Sequence, residues 1–252
     1  MSELSGLYAI WYRELKVFIR ERSRIVSSIV SPLMWLVVFG SGLGSTITSV
    51  DGVSYQTFIY PGIIVMSLLF SSVFYGVYVV WDRKIDFLKE VLVAPLSRTT
   101  IFFGKAIGGT TDAMIESLIL IAMAPLFGVH FTLLMFLLTM LIIFVLTMGI
   151  VSIGLIIGSM LSSPEGFGLI SSFVTFPIFF LSGALFPITD ALPAWLTVVV
   201  RANPVFYGVD LLRGVTLGIA PAFSPLLDFS VIVAFAVVLI ALGTVAFKRM
   251  KL

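Results

Sequence analysis

The sequence predicts an all-α integral membrane protein. Six transmembrane helices follow an N-terminal interfacial amphipathic helix, and a re-entrant outer helical hairpin lies between spans five and six. Three observations lead there. Of 252 residues, 60% are hydrophobic and only 11% are charged. No charge occurs between Arg24 and Asp51 or between Asp51 and Asp82, and 48 uncharged residues separate Glu116 from Glu165. Thirteen of the 15 Lys and Arg residues fall within residues 1–24, 82–105 and 248–252. Basic residues beside short spans stay on the cytoplasmic side, so this clustering fixes an orientation.

Residues 1–24 form the interfacial helix. Leu4, Leu7, Tyr8, Trp11, Leu15, Phe18 and Ile19 recur at helical spacing, with Arg13, Glu14, Lys16, Arg20 and Glu21 around the other face. That division suits a helix lying in the membrane surface, and contact with a cytoplasmic partner is compatible with it. Five basic residues before a full-length apolar stretch are unlike a cleaved signal peptide, so residues from Ile25 onward read as an uncleaved anchor. Span one lies between Arg24 and Asp51, bent at Ser31 and Pro32. Span two returns between Asp51 and Asp82. A bilayer core takes about 20 apolar residues, whereas the 48-residue run would extend about 72 Å as helix and must fold back. Pro125, Gly128 and His130 mark its turn, giving span three over 106–127 and span four over 131–161. Spans five and six cover 167–186 and 229–247. An even number of crossings puts both termini in the cytoplasm, and one membrane domain covers 1–252.

Two connections stand out. The inner segment 82–105 places Phe87, Leu88, Val91 and Leu92 at helical spacing among five basic and three acidic residues, and Pro95 ends that short helix. Such a structured, charged and partly apolar surface suggests docking. The outer segment 187–228 contains Pro187, Pro193, Pro204, Pro221 and Pro225, yet also the apolar pieces 195–200 and 205–209. These are too short to span and too apolar for an ordinary loop, so they are expected to dip into the membrane as a broken hairpin with its corner at Asn203-Pro204. Arg201 and Arg213, the only basic residues assigned outside, fall here with Asp190 and Asp210.

Several chemistries are excluded. With no Cys, there is no disulfide and no thiolate metal site. A phosphate-binding loop needs Gly-x4-Gly-Lys-Ser/Thr, but Thr99 stands at the first glycine position and Ala106 follows Gly104-Lys105. The lone His130 has no ligand partner at metal spacing and no Ser beside it to activate, so neither a metal site nor hydrolytic catalysis is expected. The net charge of +2 follows membrane topology, not nucleic-acid binding. Gly40, Gly42 and Gly44 read as close packing or a helix end. Gly154-x3-Gly158 is a small-residue contact motif.

Asp112 and Glu116 share one face of span three at i and i+4. Acids at membrane depth usually face protein or water, which leaves two readings: a structural pair, or an ion or substrate path. Phe70, Phe74, Tyr75 and Tyr78 in span two and Phe173, Phe176 and Phe180 in span five also recur at helical spacing. They either pack against lipid and core or line an apolar path.

Two passages together resemble the ABC-2 type permease family, the membrane subunits of ATP-driven exporters that include drug-resistance and polysaccharide-export permeases. One is Lys89-Glu90-Val91-Leu92-Val93-Ala94-Pro95-Leu96-Ser97-Arg98, followed by Gly104-Lys105. The other runs from Leu181-Ser182-Gly183 through Pro187, Leu192-Pro193-Ala194-Trp195 and Asn203-Pro204-Val205-Phe206-Tyr207 to Asp210-Leu211-Leu212-Arg213-Gly214. The resemblance covers essentially the whole chain. It implies a second permease copy, most simply a homodimer, bound to two cytoplasmic ABC ATPase subunits that carry the ATP and Mg. No cofactor is implied on this chain. By the same resemblance, Phe87, Glu90, Val91, Pro95, Ser97 and Arg98 belong to the coupling helix that seats in the ATPase. Pro187, Pro193, Trp195, Asn203, Pro204, Tyr207 and Arg213 belong to an outer gate. Spans one, two and five form the path, with Phe70, Phe74, Tyr78, Phe173, Phe176 and Phe180 as its candidate lining.

The sequence therefore leads to a permease of the cell (cytoplasmic/inner) membrane that moves substrate outward by alternating access, driven by a separate ATPase. The rival is a proton- or ion-coupled secondary transporter using Asp112 and Glu116.

Overall fold

The structure is a computed structural model describing residues 2–47, 49–50, 52–85, 96–188 and 192–250. Helix α1, Glu3–Arg20, starts at Ser2, whose hydroxyl accepts from the Ser5 amide, and satisfies an amide that the first turn leaves open. Helix α2, Arg22–Gly42, continues through Pro32. A two-stranded hairpin follows, β1 Ser49–Val50 against β2 Val53–Ser54, with Gly52 at φ 82. Among the described residues it is the one β element. Asp51-Gly52 between β-branched neighbours is a hairpin dipeptide that the span-based reading passed over.

Helix α3, Tyr55–Phe74, and helix α4, Val77–Lys84, are separated by Tyr75 and Gly76. Together they cover the 30 residues of Tyr55–Lys84, a stretch apolar enough to cross a membrane. Helix α5 is Arg98–Ala122, followed by a 3-10 turn at Ala124–Phe127 and Gly128 at φ 76, so the chain reverses where Pro125 and Gly128 were expected to turn it. Helix α6 is Leu133–Met160 and α7 is Pro164–Phe180. Helices α8, Ala194–Ala202, and α9, Pro204–Leu217, precede the last helix α10, Pro225–Arg249.

Among the described residues, four stretches are long and apolar enough to cross a membrane: Arg22–Gly42, Tyr55–Lys84, Leu133–Met160 and Pro225–Arg249. The 25 residues of α5 give about 37 Å of helix, but Lys105, Asp112 and Glu116 interrupt its apolar character. The 17 residues of α7 give about 26 Å. Two expected boundaries move. Span three was expected from 106, yet α5 begins at Arg98 because Ser97 caps it by accepting from the Thr100 amide. Span five was expected to run to 186, yet α7 stops at Phe180, and Gly183 at φ 68 turns the chain back inward.

The core is centred on α3, which packs against α2, α5, α6, α7 and α9 and buries Phe58, Ile59, Tyr60, Ile63, Leu68 and Leu69. A second cluster at the opposite end joins Ile10, Tyr75, Val79, Phe102, Leu155 and Phe247. Lipid takes the place of solvent for the outward rows: Val26, Met34 and Val37 on α2, Leu134, Leu137 and Leu141 on α6, and Val237, Val238 and Leu242 on α10 are all exposed.

The tightest contact is backbone to backbone, between the α3–α4 break and the small-residue motif of α6. A Cβ at Gly154 would lie 2.2 Å from the Val73 carbonyl oxygen, and one at Gly158 would lie 2.3 Å from that of Gly76. Gly154→Leu therefore forces the helices apart, at about 1–3 kcal/mol or more. It is expected to abolish the monodisperse peak in detergent size-exclusion chromatography. Gly168→Ala, where an added Cβ meets nothing within 4 Å, is expected to leave the profile unchanged.

Candidate functional site

Helices α2, α3 and α7 enclose a cavity of about 580 Å³, a volume that suits a drug-sized molecule. Helix α2 lines it with Ser27, Ser28, Ser31, Pro32 and Trp35, α3 with Ile63, Met66, Ser67, Phe70, Ser71 and Phe74, and α7 with Pro164, Phe167, Gly168 and Phe176. Tyr75, Val77 and Tyr78 reach it from the α3–α4 break, and Arg24 and Glu116 supply its charged groups. Edge-to-face contacts fix the walls: Phe70 and Phe176 stand 5.2 Å apart and Phe74 and Phe167 6.3 Å apart, centroid to centroid. Of the aromatics singled out from the sequence, Phe70, Phe74, Tyr75, Tyr78 and Phe176 line the cavity. Phe173 and Phe180 point outward from α7, 80% and 51% exposed.

The two acids of α5 have different surroundings. An Nη1–Oδ2 contact of 3.2 Å pairs Arg24 with Asp112. The Arg24 guanidinium also lies 5.3 Å from the ring centroids of Phe18 and Tyr78 and 5.7 Å from that of Tyr75, within cation–π range. The Tyr78 hydroxyl donates to Glu21. Glu116, 1% exposed, borders the cavity. Neither of its oxygens completes a hydrogen bond among the described residues, and Ser71 and Arg24 are the polar groups facing it.

Beside this site lies a charge cluster that joins three elements. Arg13 binds Glu14 at 2.8 Å and Asp82 at 2.6 Å, and Lys105 binds Glu14 at 2.9 Å and also Asp82. Glu14, Asp82 and Lys105 are buried. Glu14 was expected on the solvated face of the interfacial helix and Lys105 at the end of a loop. Instead Gly6, Ile10, Glu14 and Phe18 form the buried stripe of α1, facing α5. Two glycines of α5 permit the approach, because a Cβ at Gly104 would lie 2.8 Å from Ile10 Cβ and one at Gly108 2.8 Å from Glu14 Cβ. The signal was present as a run of i+4 steps, Gly6-Ile10-Glu14-Phe18, opposite Gly104-x3-Gly108. A single charged residue within such a stripe marks a buried partner.

Removing one member leaves an uncompensated buried charge, which costs about 3–5 kcal/mol. Lys105→Met is expected to lower the melting temperature in detergent sharply. The double variant Asp82→Asn with Lys105→Met, which keeps the Arg13–Glu14 pair, is expected to recover a large part of the loss, and a double-mutant cycle reads the coupling.

Burial alone would push the Glu14 carboxyl up, but Lys105 and then Arg13 outweigh it and hold the group below the 4.5 of an unperturbed glutamate. Its contribution to stability is therefore complete above that value and is lost as pH falls through the lower folded-state value. Thermal stability in detergent is expected to decline from about pH 6 to below about pH 4. The decline should be shallower in Glu14→Gln.

Of the inner-loop residues named from the sequence, Phe87, Glu90, Val91 and Pro95 lie outside the described residues. Ser97 is the cap of α5 and donates to Glu3 of α1. Hydrogen bonds from Thr100 and from Ser97 hold the Glu3 carboxyl below its ordinary value. Arg98 reaches across to donate to the carbonyls of Lys248, at 3.0 Å, and Met250, at 2.6 Å, capping the last helix. Arg83 does the same for α6 through the carbonyls of Ser159 and Leu161, both at 3.0 Å. Both are cations at helix C-termini, where carbonyls lack partners.

At the other end, Asn203 joins three elements. Its Oδ1 accepts from the Val205 amide at 3.1 Å, capping α9, and its Nδ2 donates to the Ile178 carbonyl at 2.7 Å on α7. Pro204 is the first residue of α9, and the Tyr207 hydroxyl donates to the Arg201 carbonyl. Arg213 donates to the carbonyls of Gly183 and Ala184 at 2.7 and 2.9 Å and stacks 3.9 Å over the Phe58 ring. Asn203, Pro204, Tyr207 and Arg213 thus brace the α8–α9 corner against α3 and α7. Pro187 is half-buried, whereas Pro193 and Trp195 are exposed, Trp195 at 68%.

The profile of the ABC-2 type transporter family matches residues 5–217. The chain belongs to that family. It is 30% identical over 241 residues to the inner membrane transport permease YadH of Escherichia coli K12, covering 92% of this chain and 90% of that one. It is 26% identical over 245 residues to nodulation protein J of Rhizobium leguminosarum bv. viciae, covering 96% and 93%. The same-named protein of Rhizobium meliloti is 28% identical over 245 residues. This chain is accordingly a multi-pass membrane transport permease.

Proposed function

We propose that this permease is the membrane half of an ATP-driven exporter. The reading makes six crossings, counting α5 and α7 with the four long apolar stretches, with both termini in the cytoplasm of a cell membrane. Two copies of the chain pair with two ATPase subunits that bind ATP and Mg. The inner loop 82–105, through Phe87, Glu90, Val91, Pro95, Ser97 and Arg98, docks in the ATPase, and closure of the ATPase switches the cavity between α2, α3 and α7 from inward to outward access. The α8–α9 corner serves as the outer gate, dipping into the membrane as a re-entrant hairpin.

The observation that carries this reading is the family match across nearly the whole chain, in a sequence with no phosphate-binding loop of its own. Together these support an energy source on a second chain. The fold supports a mechanical route, because Glu3, Ser97 and Arg98 tie the ends of α1, α5 and α10 together at the proposed docking segment.

Purification from the native membrane in mild detergent, with mass-spectrometric stoichiometry, is expected to recover one ATPase per permease. Glu90→Ala is expected to leave the complex assembled while uncoupling ATP hydrolysis from transport. A permease that arrives alone, with transport that survives ATP depletion and fails in Asp112→Asn, would instead establish the ion-coupled mechanism.

A further inference from the structure

We propose that the cavity between α2, α3 and α7 takes an organic cation carrying aromatic or alkyl groups, with Glu116 as the carboxylate that receives its charge. The proposal rests on the transport reading above and names its substrate class.

The argument is charge accounting around one volume. The neighbouring cluster is balanced, since Arg13 and Lys105 face Glu14 and Asp82. Arg24 at the cavity wall is matched by Asp112, and Glu21 receives the Tyr78 hydroxyl. Glu116, which Arg24 faces but does not contact, is the acid at the cavity without an ion pair among the described residues. It is buried, borders the cavity, and completes no hydrogen bond among the described residues. A carboxylate in that position pays the full cost of desolvation unless a cation or a proton arrives. An anionic cargo would have to displace Asp112 from Arg24 and then sit beside Glu116, so the site disfavours it.

The remaining surface fits the same cargo. Trp35, Phe70, Phe74, Tyr75 and Tyr78 line the volume, and aromatic faces attract organic cations, more strongly once desolvated. Serine hydroxyls of α2 and α3 supply small dipoles without adding a charge. At about 580 Å³ the space holds a drug-sized molecule.

The test uses two ions of one shape and opposite charge, tetraphenylphosphonium and tetraphenylborate. Purified permease is placed in phosphatidylcholine nanodiscs, and binding is measured by equilibrium dialysis against empty nanodiscs. Saturable binding of tetraphenylphosphonium and none of tetraphenylborate is expected. Glu116→Gln should weaken the cation by about tenfold or more, while Glu165→Gln, at an exposed residue of α7, should leave it unchanged. Equal binding of the two ions, no saturable cation binding, or an unchanged affinity in Glu116→Gln would overturn the proposal. If Glu116→Gln does not fold, the comparison of the two ions on the wild-type protein decides. The readout needs no ATPase, so a negative result removes the cation reading alone. Failure of the ATPase to copurify removes the exporter reading alone.

Discussion

Four ionised side chains with no net charge, Arg13, Glu14, Asp82 and Lys105, hold one end of this molecule together. They come from three elements, α1, α4 and α5. Helix α1 leaves Leu4, Tyr8 and Ile19 exposed, α4 is eight residues long, and α5 carries Lys105 among buried apolar residues such as Phe102 and Ala106. Asp82 of α4 and Lys105 of α5 balance one another, and Arg13 and Glu14 of α1 complete the cluster, so bringing α1 against only one of the other two would leave a buried charge without its partner. Glycines at 104 and 108 bring the backbones close enough for the side chains to meet, so packing and electrostatics impose the same geometry.

The other polar contacts follow the same constraint, that no charge or backbone carbonyl be left without a partner away from water. Arg83 and Arg98 close the C-termini of α6 and α10. Arg213 closes the carbonyls freed where α7 stops, and it stacks on Phe58 of α3 while doing so. A basic residue on the side predicted to be outer, unexpected from topology, is explained by that bond. Among the described residues the carboxylates of Asp112, Glu116 and Asp228 complete no hydrogen bond; Asp112 has Arg24 at 3.2 Å, Asp228 faces Asp210, and Glu116 borders the cavity. Where nearly every other buried charge is matched by geometry, an unmatched one beside an open volume is best read as awaiting something that enters.

Much of the site was legible as residue types and little of it as contacts. Phe70, Phe74 and Phe176 could be proposed as lining from helical spacing, but the same spacing offered Phe173 and Phe180, which face outward. Periodicity identifies a stripe without saying which neighbour it meets. Ser97 and Arg98 stood out as polar residues of an inner loop. Their observed bonds are made within the chain, to α1 and α10, which are distant in sequence and therefore invisible to local reasoning.

The sequence by itself determined that the protein is a membrane protein, where the chain reverses at Pro125 and Gly128, and which family it belongs to. Those conclusions depend on apolar run length, charge placement and ordered motifs, all of which are one-dimensional properties. Tertiary structure decided that Glu14 and Lys105 are buried partners, that α5 begins at Arg98, that α7 ends at Phe180, and that α2, α3 and α7 line a cavity with the buried Glu116 at its edge. These depend on which helix faces which. In an apolar solvent nearly every helix face is permitted by composition, so the small residues and the charges must find one another before the arrangement is fixed.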